Sequence, residues 1–436
     1  MSVFPKYDSY KNSGVEWVGD VPKHWDVLPG RVTLSLNKEK NMGNVEDTVL
    51  SLSYGRLVIK SPEKLTGLVP ESFEGYQIIN PGDIIIRPTD LQNDWTSLRV
   101  GLAKDRGIIT SAYLGLKHDD KVSSEYLYYL LHSYDLLKVY YGMGTGLRQN
   151  LSWDDFKYLP LTLPPKSEQD RIVTFLDQKT VEIDALIAKK QRQIELLDEQ
   201  KAILINRAVT RGLNPNAKLK PSGIEWIGEI PVAWKVMKLR RILATSPKNG
   251  ISPPISPEGG TPTLSIAAVK GGRVSFGDSV KYADISRREA AQYEISEGDI
   301  LALRGNGSRH LVATCGIVGT DSPSRCIYPD LLIRLVPDKR TNPSYFVSLM
   351  NGPLRDGIEL ASKTSAGIWK VSGESLSSLS VPQPPLEEQN AIVEHVTEIT
   401  TAKQANEDSL IKQIKSLNTL RSTLIAHAVT GRIKVA

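Results

Sequence analysis

Cysteine is scarce in this chain. Cys315 and Cys326 are the only two, with no pairing or ligand spacing around them. That excludes a disulfide-stapled fold and a cysteine zinc site, and makes a reduced, cytoplasmic setting the expectation. No apolar run approaches the ~20 residues of a membrane-spanning helix, and the opening residues MSVFPKYDSYKNSG lack the apolar core of a signal peptide. Six scattered histidines give no metal or nucleophile set. There is no G-x-x-x-x-G-K-[ST] phosphate loop and no Asn-Pro-Pro-aromatic stretch of an amino-methyltransferase. Gly142-Met143-Gly144-Thr145-Gly146 lacks the preceding buried strand and following acid of a dinucleotide fingerprint, so it reads as a loop with Arg148 beside it. Asp83 and Asp299 recur in both halves and read as turn acids that satisfy backbone N–H groups. These absences point away from an enzyme.

Glycine and proline are missing altogether from Ser167 to Ala208, a stretch rich in Leu, Ile, Glu, Gln, Lys and Ala. It predicts a helix roughly 60 Å long, with Ser167 as N-cap and Glu168 and Asp170 at the positive end of its dipole. Ile183, Ile187, Lys190, Ile194, Leu197, Lys201, Leu204 and Ala208 follow one another at steps of four and three, the mark of a narrow seam against a partner helix. The partner lies 220 residues on, from Glu387 to Ala428, where Leu410, Ile414, Leu417, Arg421, Leu424 and Ala428 repeat the seam. Both stretches end in Leu-Ile-x-x-Ala-Val-Thr. Lys201 and Arg421 share a seam position, where their stems pack and their charges reach the rim.

A second repeat precedes the helices. KNSGVEWVGDVPKHW at 11–25 and KPSGIEWIGEIPVAW at 220–234 keep one frame, with Trp17, Trp25, Trp226 and Trp234 as buried anchors. Short strands over Asp83–Arg87, Gly107–Thr110, Asp299–Arg304 and Leu331–Leu335 follow, then helical candidates over 124–140 and 342–359 and Gly-containing loops at 142–146 and 365–367. The predicted fold is α+β: two similar globular α/β domains joined by two long helices packed as an antiparallel coiled coil, with pseudo-twofold symmetry. The boundaries are 1–166 for the first domain, 167–210 for the central helix, 211–386 for the second domain and 387–436 for the last helix and tail. Net charge is +5; the helical stretches carry −1 and −2, which leaves +8 on the rest and an anionic partner for it.

Over its whole length the chain resembles the DNA-specificity subunit of a Type I restriction-modification enzyme. The resemblance rests on the two Ser-Gly-x-Glu-Trp frames, the Leu-Pro-Pro-x-x-Glu-Gln entry at 163–169, its counterpart Gln-Pro-Pro-Leu-Glu-Glu-Gln at 383–389, and the twin Ala-Val-Thr exits. It implies a non-catalytic subunit that recognises a bipartite double-stranded DNA target, one half-site per domain. It also implies two methyltransferase subunits and two restriction-translocase subunits as partners. S-adenosylmethionine, ATP and magnesium would then sit on those partners, with no cofactor and no metal on this chain. A protein-binding rod with two heads and no DNA preference is the competing reading. An enzyme that itself modifies or cuts DNA is the third.

Base reading calls for Arg, Lys, Asn, Gln, Ser or Thr on loops near strands. The candidates are Arg56, Arg87, Gln92, Asn93, Arg99 and Arg148 in the first domain, and Arg304, Asn306, Ser308, Arg309 and His310 in the second. Arg87 and Arg304 end strands and have a second reading as partners of acids; Asn306 has one as a turn residue. Lys60, Lys104, Arg106, Arg273, Arg287 and Arg288 suit phosphate contact or plain solvation.

Overall fold

The computed structural model describes residues 4–61, 72–143, 150–256, 259–365 and 367–435. The described helices are α1 (Ser124–Leu136), α2 (Trp153–Lys157), α3 (Lys166–Arg211), α4 (Arg287–Ala290), α5 (Pro343–Asn351), α6 (Arg355–Ala361), α7 (Gly373–Ser378) and α8 (Leu386–Val429). The chain forms two compact units, Met1–Gln191 with Ile411–Ala436 and Arg192–Leu410. Each unit therefore contains a globular domain and part of both long helices, rather than leaving the helices as separate pieces.

In the first unit, α1 packs on an antiparallel sheet ordered Leu34–Leu36, Leu114–His118, Ile84–Ile86, Val100–Leu102. In the second, α5 lies on a larger sheet whose central strands Leu332–Leu335, Ile300–Leu303 and Cys315–Ile317 correspond to the last three of those. The expected strands are present at these places. The helical candidate over 342–359 is two helices, because Gly352-Pro353 removes an amide donor where one helix would have to continue. The candidate over 124–140 ends at Leu136, and a 3-10 turn follows after Lys138 takes a left-handed φ of 62°.

One joint is built twice. Tyr126 donates its hydroxyl to the carbonyls of Thr162 (2.8 Å) and Val429 (3.2 Å); Tyr345 donates to those of Val209 (3.1 Å) and Pro382 (3.3 Å). Gln169 accepts from the Ser123 amide and donates to the Pro164 carbonyl; Gln389 does the same with Asn342 and Pro384. The Pro-Pro-x-x-Glu-Gln entry is thus a clamp between the start of a long helix and the N-cap of α1 or α5. Helix α3 begins at Lys166, with the Pro165 carbonyl accepting from Glu168 and Gln169, so Ser167 lies within the first turn and is not the cap. Trp25 and Trp234 are buried beside the exits of α8 and α3. There Gly431 and Gly212 adopt φ of 72° and 71°, and a Cβ on either would strike Pro22 or Glu388.

Both units pair the long helices antiparallel. In the first, Ile183 and Ile187 share a core with Leu417 and Leu424, and Asp184 binds Arg421 at 2.5 Å while Lys190 bonds Gln413. In the second, Ile205 and Ala208 pack with Ile392 and Val396, and Asp198 binds Lys403 at 2.8 Å. Ile194, Leu197, Leu410 and Ile414 are half-buried, as a narrow seam requires. Leu204 departs from the expected seam: it is exposed and Ile205 takes its place. The two halves differ at the facing helix as well: the residue equivalent to Ile183 is Lys403, which is ion-paired with Asp198 and Glu407.

Candidate nucleic-acid interface

In the first unit the loop after Ile84–Ile86 is organised by one buried cation. Arg99 has no exposed surface. Its Nη1 donates to the carbonyls of Thr89 (2.7 Å) and Arg87 (3.3 Å), its Nη2 to those of Asp94 (2.7 Å) and Asp90 (3.2 Å), and its Nε to the Tyr141 hydroxyl. Five donors in a planar fork match this set of inward-facing oxygens. Arg99 therefore cannot reach a base; it holds the loop, which corrects its place among the contact candidates. Asp94 accepts from the Ser97 and Thr96 amides and pairs with Arg87 at 3.3 Å; those hydrogen bonds, first of all from Ser97, hold its carboxyl well below the usual range.

With the backbone turned inward, the loop presents Gln92, Asn93, Trp95 and Thr96 outward, all exposed. Arg87 is half-buried against Asp94 and Ser97, the acid-partner reading. Arg56 is largely exposed and bonds Asp184 of α3 at 3.3 Å. Arg148 lies outside the described residues, as does 144–146 of the Gly-rich loop.

In the second unit the candidates gather around a hairpin. Gly305–Asn306 pairs with Ile368–Lys370, which pairs with Lys363–Ser365. Of the stretch read as a loop at 365–367, Ser365 ends one strand of this hairpin and Gly367 precedes the next at φ 76°, while residue 366 lies outside the described residues. Arg309 lies 4.7 Å over the Trp369 ring and donates to the Glu359 carbonyl. Arg304 reaches Asp330, and Asn306 accepts from the Ser308 amide at 2.9 Å, so both carry the conformational role as well. Ser308 and His310 are exposed. Asp83 and Asp299 accept from the Asn80 and Ser296 amides at 2.8 and 2.7 Å, as turn acids should.

Residues 110–196 match the family described as Type I restriction modification DNA specificity domain. Along almost the whole chain, the sequence is similar to the Type I restriction enzyme EcoKI specificity subunit of Escherichia coli (strain K12), 24% identical, with 95% of this chain and 90% of that protein covered. It is equally similar to the MjaVIII specificity subunit of Methanocaldococcus jannaschii, 24% identical with 95% and 94% covered. A chain solved in work on complex assembly and conformational transition of the type I R-M system shares the fold, at TM-score 0.67 and 16% identity over 94% of this chain and 98% of that one.

Three features of these two surfaces escaped the sequence. Trp95 was passed over because a lone tryptophan in a polar run carries no periodic signal. Lys138, which donates to the Trp95 carbonyl at 2.6 Å, was hidden in a helical pattern. Lys363, Trp369 and Lys370 form a basic hairpin with an aromatic between strands; the alternation around Gly367 was the available sign. Among the described residues no group of His, Cys, Asp and Glu could hold a metal ion.

Proposed function

We propose that this chain is the non-catalytic subunit that reads a bipartite double-stranded DNA target for a Type I restriction-modification assembly. One half-site is read by the loop 87–99 of the first unit, the other by the turn 304–310 and hairpin 363–370 of the second. The paired helices carry two methyltransferase and two restriction-translocase subunits, and S-adenosylmethionine, ATP and magnesium act on those subunits. A cytoplasmic setting follows from that work. The observation that supports this best is the contrast between joint and tips. The Gln169/Gln389 and Tyr126/Tyr345 ties repeat atom for atom, while the exposed loops share neither length nor chemistry. A scaffold made twice with unlike tips suits two unlike half-sites read in the major groove, where each base pair shows a distinct edge.

The test is selection of binding sites from random duplexes by the full chain, repeated across salt. The expected result is two dissimilar short motifs at a fixed separation, with affinity falling steeply as salt rises. An exact palindrome would contradict two unlike readers. A flat salt response with no motif would instead favour the two-headed protein scaffold.

A further inference from the structure

Trp95 is a large apolar side chain left 54% exposed at the tip of the first unit's loop. The loop around it is held from the inside by a set of hydrogen bonds to its carbonyls. Arg99 holds the carbonyls of Thr89, Asp90 and Asp94, and Tyr141 donates its hydroxyl to Asp94 O at 2.9 Å. Lys138 fixes the Trp95 carbonyl and also lies 4.6 Å over the Tyr141 ring. One side of the indole stacks on that ring, with centroids 4.5 Å apart and planes 27° from parallel. A core tryptophan would be covered; a casual surface tryptophan would not be backed by an aromatic, a lysine and a buried arginine fork.

The indole's chemistry then narrows what it can touch. Its one polar group, Nε1–H, already donates to the Gln92 carbonyl at 3.1 Å. Trp95 has no donor left for a base edge and offers only hydrocarbon. Among the major-groove edges, the one apolar group is the thymine 5-methyl. We infer that Trp95 is a specificity residue for the first half-site, packing its free surface on a thymine methyl, with Gln92 beside it facing the neighbouring base edge. This rests on the reading of the chain as a DNA-binding subunit. Arg99 is a positioning residue for that contact, acting through the backbone it gathers.

The experiment uses the native complex, purified through a tag on this chain, as wild type, Trp95→Phe and Trp95→Ala, with thermal melting to confirm that each folds. Sites are selected from random duplexes, and binding is then measured on the selected site with single thymines replaced by uracil. Wild type is expected to lose about four-fold at one position on losing that methyl, the scale of one buried methyl group. Trp95→Ala is expected to bind thymine and uracil there equally and to lose the thymine preference at that position alone. Trp95→Phe should keep it. A uniform loss across all sequences in Trp95→Ala, or no uracil effect in wild type, overturns the contact while leaving DNA reading intact. A preference for A·T over G·C that ignores uracil would mean a minor-groove wedge and also overturns it. Absence of any selected motif in wild type removes the underlying reading and this inference with it.

Discussion

His132 on α1 and Asn351 on α5 occupy equivalent places, six residues beyond the tyrosines that tie each helix to the joint. Around His132 the first unit is filled. Tyr128 stacks on the imidazole at 5.5 Å and 12°, and Tyr129 reaches Asp177 at 2.6 Å. The second unit has Val347, Ser348 and Asn351 at those positions. There Asn351 exchanges two hydrogen bonds with the Cys315 backbone, and the smaller side chains leave a cleft of about 1790 Å3 that also meets Lys201 and Thr400. The joint itself tolerates either wall. What it does not vary is the set of side chains that bond backbone, two glutamines and two tyrosines, and the two positive-φ glycines at the helix exits. Evolution of a new tip is compatible with this scaffold because the backbone ties carry the architecture and the wall between them is free to change.

The contrast breaks hardest at Arg99. Among the described residues the second unit has no fully buried cation in that role; Arg309 is half-buried and shares its load with a ring. Arg99→Met strands four buried carbonyls, and a loss on the order of 3–4 kcal/mol is expected in the first unit alone. Arg309→Met should cost about 1 kcal/mol or less. Hydrogen exchange followed separately in 84–102 and 300–317 distinguishes the two. Equal protection losses from the two variants would show that the loops are held in the same way after all.

A pH difference follows next in size. Burial, aided by the nearby Arg421 charge, lowers the His132 pKa to about 4, against an ordinary value near 6.5. Above pH 6.5 the imidazole is neutral folded and unfolded, and contributes nothing. As pH falls from 6.5 to about 4 the unfolded chain takes up a proton that the folded unit refuses, so stability drops, by about 3 kcal/mol in all, and levels off below. Asn351 cannot do this. His132→Asn should therefore remove the acid loss of the first unit over that window, read as denaturation midpoints at pH 7 and pH 4.5. An unchanged acid slope in the variant would mean that carboxylates, not this imidazole, set it.

The sequence revealed the joint far better than the tips, for a physical reason. Tyr126, Gln169 and Trp25 serve a repeated geometry, so they recur at fixed offsets and the repeat is visible in letters alone. Helix pairing was legible from the four-three seam. Arg99 was misjudged because an arginine on a loop looks the same whether its fork faces solvent or five oxygens; only burial separates the cases. Leu204 was misjudged because a seam position takes its meaning from its neighbours on the other helix, which the pattern of its own helix does not show. Trp95 and the 363–370 hairpin went unseen because they occur once each, with no counterpart to align.

The smallest expected effect probes the helix pair. Lys403 and Glu407 stand where the other half of the repeat has Ile183 and Ile187, and the Lys403 side chain is only 10% exposed, bound to Asp198 and Glu407. Ion pairs in such places are often replaceable by packed hydrocarbon without loss, because desolvation offsets the attraction. The double substitution Lys403→Ile with Glu407→Ile makes the second unit's seam chemically like the first. A gain of about 1–2 kcal/mol is expected, with Asp198, already mostly exposed, left solvated. The gain is read from urea denaturation midpoints of the full chain. A loss of stability would mean that the polar cluster fixes the register of the two helices. A gain in stability with loss of co-purifying subunits would instead make the charged seam part of a partner contact, and the difference between the two halves of the repeat would then be functional and not merely tolerated.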